Sequence, residues 1–284
     1  MIFRQRKVAV TAALFFLLPG GMRAQQCRVA PSSVKLGDTI RLRCPSAVTS
    51  AKMGSRTVPL FPQADGKAFG LMPVPVEQKP GAYSIQFLSG EKKVLYTAKE
   101  TVLKTYFPSQ NVTLSPAIEA LHSTPEEIHL LVAFRDSVSD ERFWKDPLAP
   151  PVPGCVTSPF GVKRLHNGKP TGEYHSGVDQ RTPEGEPIRA VAAGTVTFAQ
   201  RFNVLGNAAG VDHGQGLETI YLHMEKLAVE KGARVEKGSI LGYAGETGRA
   251  NGPHLHWALY ANGVHVNPAQ WMKLTPCPRE KRKD

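Results

Sequence analysis

At 284 residues, 41% of them hydrophobic, the chain is long enough for a sizeable core and for two domains. Its formal charge of +11 includes Arg4, Arg6, Lys7 and Arg23 near the start, with no acid among them, leaving about +7 on the remainder. That moderate excess suits a polyanionic cell envelope, and with no recognisable nucleic-acid motif it gives no support to a nucleic-acid partner.

The first 24 residues read as a signal peptide: a basic start, the apolar run Val8 to Leu18, a break at Pro19-Gly20-Gly21, and cleavage after Ala24. The run is too short for a stable membrane span and no later stretch is longer, so the mature chain is expected without one. Periplasm or the extracellular envelope is the expected location. Cys27 follows closely, but Ala24-Gln25-Gln26 is not the small-residue sequence of a lipid-anchored cysteine. In an oxidising compartment the four cysteines form disulfides in one of three pairings, of which the nearest-neighbour one, Cys27 with Cys44 and Cys155 with Cys277, is expected.

Residues 25–104 carry short alternating runs between Gly and Pro, such as Thr39 to Cys44 and Tyr83 to Phe87. They predict a small β-sandwich, immunoglobulin-like, with Ile40, Leu42 and Cys44 on one inward face and Tyr83, Ile85 and Phe87 on another. Residues 105–146 predict a short helical connector. Ser115-Pro116 opens one helix, and Thr124-Pro125-Glu126-Glu127 opens a second with a capping box, whose apolar face is Ile128, Leu131 and Val132. Pro125 interrupts the spacing of His122 and Glu126, which removes them as a helical ligand pair. This stretch is a candidate gate for whatever follows.

Residues 147–154, with four prolines, predict a stiff extended linker and a domain boundary. Beyond it, 155–277 holds most of the chain's glycines without a helical period, which predicts short strands and tight turns, and 278–284 is a charged tail.

Within 155–277 three segments carry metal-competent chemistry. Gly252 to Trp257, read as a strand, puts His254 and His256 on one face and Leu255 and Trp257 on the other. His175 to Asp179 offers an imidazole and a carboxylate four apart. Thr219 to His223 alternates, placing Tyr221 and His223 together. Four histidines and one aspartate suffice for a His-His-Asp zinc site with two imidazoles left over, although spacing leaves open which of His254 and His256 meets the metal. His213 precedes a glycine turn and reads as structural; His166 and His265 fall on loops, and Arg164 and Asn167 border the first segment as weak candidates for a substrate-side role. There is no His-Glu-x-x-His.

These motifs, with Ser158-Pro159-Phe160-Gly161, Ala190 to Val196, Asp212-His213-Gly214, Gly245 to Gly248 and Asn267-Pro268, resemble the lysostaphin-type (LytM-like) zinc metalloendopeptidases. The resemblance covers about Val156 to Trp271. It implies a mainly β fold with an antiparallel sheet and an open groove, one Zn2+ per chain held by His175, Asp179 and His256, catalysis by His223 and His254, and peptidoglycan peptides as substrate for a monomeric enzyme. The alternative is a non-catalytic envelope module that binds wall or regulates another hydrolase; it is disfavoured because none of the five positions is lost.

Overall fold

The computed structural model describes residues 26–278, so the expected signal peptide and the charged end beyond Pro278 lie outside the described residues. No helix among the described residues is long and apolar enough to cross a membrane.

In the strand Thr39–Pro45 the alternation drives Ile40, Leu42 and Cys44 into a core opposite Ile85 and Phe87 of Gly81–Leu88. Full burial of each such aliphatic or aromatic side chain contributes about 1.5–3 kcal/mol, which is why period two decides the face. Two sheets enclose this core. One runs Arg28–Ala30, Thr39–Pro45, Lys67–Pro73, Phe61–Pro62; the other runs Ser33–Lys35, Val94–Leu103, Gly81–Leu88, Ser50–Met53, Arg56–Pro59. A disulfide joins Cys27 to Cys44, and a second joins Cys155 to Cys277.

The glycine-rich part folds as a ten-stranded sheet, antiparallel throughout its pairings. Its central path is Val156–Ser158, Val178–Arg181, His254–Ala261, Leu217–Leu227, Gly206–Gly214, Gly194–Phe202, Arg234–Val235. One face packs on the largest core, with Tyr221, Leu255, Trp257 and Leu259 fully buried. Phe69 and Leu71 of the N-terminal sheet enter the same core, and Thr39 and Gln270 exchange two hydrogen bonds across the join, at 2.7 and 2.9 Å.

Residues 105–146 are less helical, and less of a connector, than expected. They include the strand Ser109–Val112, which pairs in parallel with Lys163–His166 and extends the Lys163–Tyr174 hairpin to three strands. Helix α1 is only Pro116–Glu119, and helix α2 is Pro125–Asp136, opened by the Thr124–Glu127 capping box. The buried face of α2 differs from the predicted one. Ile128 and Val132 are 50% and 39% exposed, whereas Glu127 and Phe134, two turns apart, face the sheet. Phe134 meets Phe198 and Tyr260 edge-on, and Glu127 accepts from the Asn203 amide, so these two anchors override the more apolar stripe.

The prolines of 147–154 do not form a free linker either. Leu148 and Val152 are buried beside Trp144, and the carbonyls of Pro151 and Gly154 accept from Arg189 and Gln180. A proline-rich strand donates few hydrogen bonds but keeps every carbonyl, so neighbouring donors can fix it against a core.

Candidate metal centre and active site

The strand His254–Ala261 lies between Val178–Arg181 and Leu217–Leu227, and its register places His256 opposite both Asp179 and Leu222. Leu255 and Trp257 point into the core as predicted, which turns His254 and His256 to the other face. Gly177 allows the next approach: a Cβ there would stand 2.2 Å from the Trp257 carbonyl and 3.0 Å from His256 Nε2. No side chain fits in that space.

His175 Nε2, Asp179 Oδ1 and His256 Nδ1 converge, with separations of 3.0, 3.0 and 2.8 Å. All three can offer a lone pair to one point. Ligand atoms on a single tetrahedral ion with bonds of about 2.0–2.1 Å lie roughly 3.3 Å apart, so the donor set fits a divalent metal after a small expansion. The orientation is fixed from behind. His175 Nδ1 lies 2.9 Å from the Pro159 carbonyl, an acceptor only, so Nδ1 carries the proton and Nε2 the lone pair; Ser158 Oγ lies beside it at 3.2 Å.

Asp179 Oδ2 accepts from Arg164 Nη2 at 2.7 Å, and both side chains are 14% exposed. Burial opposes its charge, but His175 and His256 hold the Asp179 carboxyl well below the ordinary carboxylate range. Burial also lowers His256 to about 4, against the opposing pull of Asp179, so the ring is neutral and free to donate its lone pair.

His223 and His254 lie outside this trio. The expectation that Tyr221 and His223 share a face fails: Tyr221 is fully buried in the core with its hydroxyl on Val191 N and Thr219, whereas His223 faces the groove. The cause is a bulge. Pairing with Gly206–Gly214 shifts register between Asn207 and Ala209, and His223 takes φ +60°, which reverses the side to which it projects. Its Nδ1 donates to the Thr247 carbonyl at 2.8 Å, and burial, reinforced by His254 and His256, lowers its pKa to about 3. His254 Nδ1 donates to the Gly252 carbonyl at 2.8 Å. Each ring therefore keeps Nε2 unprotonated when neutral.

Of the other candidates, His213 is structural. It is fully buried between the Ala193 carbonyl and Thr219 Oγ1, both at 2.8 Å, and burial lowers it to about 4. Arg164 reaches into the site rather than bordering it. Asn167 has φ +51° and ties Leu114 at both its amide and its carbonyl. His166 and His265 sit on strands, not loops. Sequence reasoning missed Thr247 and Gly252 as carbonyl partners, which no side-chain pattern announces, and Ser158 was named only within a motif.

A groove of about 590 Å³ opens over these residues, between the Lys163–Tyr174 hairpin and the loop Arg249–Pro253. Thr113 and Leu114 line it, and the chain from there is tied at Leu114 to Asn167 and at Leu121 to the Arg249 guanidinium. Gln110, in the strand Ser109–Val112 that also lines the groove, accepts from Ser158 Oγ and from Arg164 Nη1.

Residues 173–268 match the model of Peptidase family M23. The chain is 40% identical over 121 residues to a DD-carboxypeptidase/endopeptidase of Neisseria meningitidis serogroup B, covering 43% of this chain and 28% of that protein. It is 37% identical over 112 residues to the peptidoglycan DD-endopeptidase ShyA of Vibrio cholerae, covering 39% of this chain and 26% of that one. It thus spans about a quarter of the length of these curated relatives. A crystal structure assigned to peptidase M23 from Pseudomonas aeruginosa aligns with a TM-score of 0.60 at 28% identity, covering 78% of this chain and 86% of the other. The five site residues all lie inside the matched stretch, and residues 173–268 belong to peptidase family M23.

Proposed function

We propose that the protein is an exported zinc metalloendopeptidase that hydrolyses peptide bonds of bacterial peptidoglycan. The observation that carries this reading is the juxtaposition of a three-donor cluster with two further imidazoles on the floor of one groove.

Zinc, one per chain on His175, Asp179 and His256, would supply an acidified water and polarise the scissile carbonyl. The chain's own residues divide the remaining work. Arg164 and the Pro159 carbonyl hold two of the ligands in orientation. His223 and His254, with ring centroids 5.1 Å apart and Nδ1 protons committed to carbonyls, present Nε2 lone pairs that take a proton from water and return it to the leaving amine. The substrate class rests on likeness to relatives named for peptidoglycan cleavage. Export rests on the leader-like first 24 residues and fits two disulfides.

The test is zinc-loaded protein, with the first 24 residues removed, incubated with sacculi and the released fragments weighed by mass spectrometry. Monomeric muropeptides from crosslinked dimers are expected, and chelation should stop their release. Unaltered crosslinks from several wall types sink the proposal.

A further inference from the structure

The two side chains that back the metal-site residues, Ser158 behind His175 and Arg164 behind Asp179, meet at one further atom, Gln110 Oε1. Gln110 belongs to the strand Ser109–Val112, and the parallel pairing sets it directly opposite Arg164. Backbone bonds from Lys163 N to the Pro108 carbonyl and from Asn167 N to the Val112 carbonyl, at 2.9 and 3.0 Å, close that pairing at both ends. The side chain therefore reaches the site in one register.

Counting protons fixes each role. Buried Ser158 has one hydroxyl proton, and His175 Nδ1, whose own proton points to the Pro159 carbonyl, cannot accept it. It goes instead to Gln110 Oε1 at 2.5 Å, which turns an Oγ lone pair toward the Nδ1 proton 3.2 Å away. The Arg164 guanidinium has two hydrogen-bond partners among the described residues, Asp179 Oδ2 at 2.7 Å and Gln110 Oε1 at 3.1 Å. An amide oxygen has two lone pairs and no proton. Both lone pairs are used here, one for each support.

Resting on the reading of His175, Asp179 and His256 as metal ligands, we propose that Gln110 is a positioning residue for the metal centre, its side-chain oxygen locking the supports of His175 and Asp179 into one unit. Gln110 bonds none of the three ligands itself among the described residues, so it acts through Ser158 and Arg164. Ligands that are already oriented lose less freedom when an ion arrives, and the consequence is metal affinity. All three ligands lie within residues 173–268, whereas Gln110, Ser158 and Arg164 lie outside that stretch. A strand that precedes the proline-rich segment thus takes part in holding the ion.

Zinc affinity of the full chain, measured by competition with a chelator, tests this. Gln110→Met keeps the length of the side chain without its acceptor and should weaken zinc about 10-fold, the low end for losing an outer partner of a metal ligand. Gln110→Glu keeps both length and oxygen and should stay within about 3-fold of wild type. Asn111→Ala removes a tie from the same strand, to the Gly168 amide, and should also stay within about 3-fold, which separates the Gln110 oxygen from docking of the strand. In a chain already carrying Ser158→Ala and Arg164→Ala, Gln110→Met should cause no further loss. Thermal melts without metal check folding, and Gln110→Leu, equally lacking an acceptor, repeats the measurement if the methionine variant melts early. Wild-type affinity in Gln110→Met overturns the inference, as does a loss in Gln110→Glu or Asn111→Ala equal to that of Gln110→Met, or a further loss in the doubly substituted chain. The two failures are distinguishable: a wild-type chain that binds no zinc removes the metal reading and this inference with it, whereas zinc bound equally by wild type and Gln110→Met removes the inference alone.

Discussion

His223 and His254 come from different strands, yet each is fixed through Nδ1 by a backbone carbonyl 2.8 Å away, and their rings stand 5.1 Å apart over the groove. His254 and His256 share a strand face, but only His256 reaches Asp179 Oδ1. His256→Ala should therefore lose bound metal, whereas His254→Ala should keep it and lose about 10²–10⁴ in turnover. Metal content by elemental analysis, beside a rate on crosslinked dimers, decides this; metal loss in His254→Ala would contradict the division.

Arg164 backs Asp179, a proposed metal ligand, without joining the donor trio itself. Its guanidinium holds Asp179 Oδ2 at 2.7 Å, leaving Oδ1 for the trio. Removing such a partner typically weakens metal affinity about 10- to 100-fold. Arg164→Ala should show that loss in a chelator competition, with a melting curve close to wild type in the metal-bound state. An unchanged affinity would mean that this ion pair has no bearing on the metal.

The sequence was most informative where local chemistry and period coincide. Leu255 and Trp257 alternate with His254 and His256, so the face of each was legible, and the capping box at Thr124 placed the start of α2. It misled where long-range packing outweighed a local pattern. Ile128 and Val132 form the more apolar stripe of α2, yet Phe134 finds two aromatic partners and Glu127 a buried amide, and the helix rolls to satisfy them. His223 was put on the wrong face because a one-residue bulge, invisible in composition, reverses the period-two rule. Pro147 to Gly154 read as a spacer because proline composition does not tell whether carbonyls meet solvent or, as here, the donors of Arg189 and Gln180.

Glu218 is fully buried on the central strand, with Oε1 bonded to Ser137 and Oε2 without a partner. Burial, reinforced by Asp212, raises its carboxyl to about 9 from 4.5. Between those values the folded protein keeps a proton that the unfolded chain has released, so stability falls as pH rises through this window and levels above about 9. Glu218→Gln, neutral at every pH, should stabilise the protein at pH 8 by on the order of 2 kcal/mol and flatten the decline from pH 5 to 9. Urea melts across that range test it, and an unchanged slope would assign the pH dependence elsewhere.

The two disulfides close loops of very different length, with separations of 122 residues for Cys155–Cys277 and 17 for Cys27–Cys44. Chain entropy gives the longer loop about 5 kcal/mol and the shorter about 3. Cys155 also precedes Val156–Ser158, the edge strand whose Ser158 lies against His175 Nδ1, and Val156 is bridged to Thr275 and Cys277 through backbone hydrogen bonds. Replacing Cys155 and Cys277 by alanine should thus lower stability by roughly 2 kcal/mol more than replacing Cys27 and Cys44. It should also weaken metal binding, because the strand that backs His175 is freed at one end, whereas the Cys27–Cys44 variant should bind metal as wild type does. Denaturant melts and chelator titrations of the two double variants measure both effects, and equal metal affinity in the two would confine the longer disulfide to the unfolded chain.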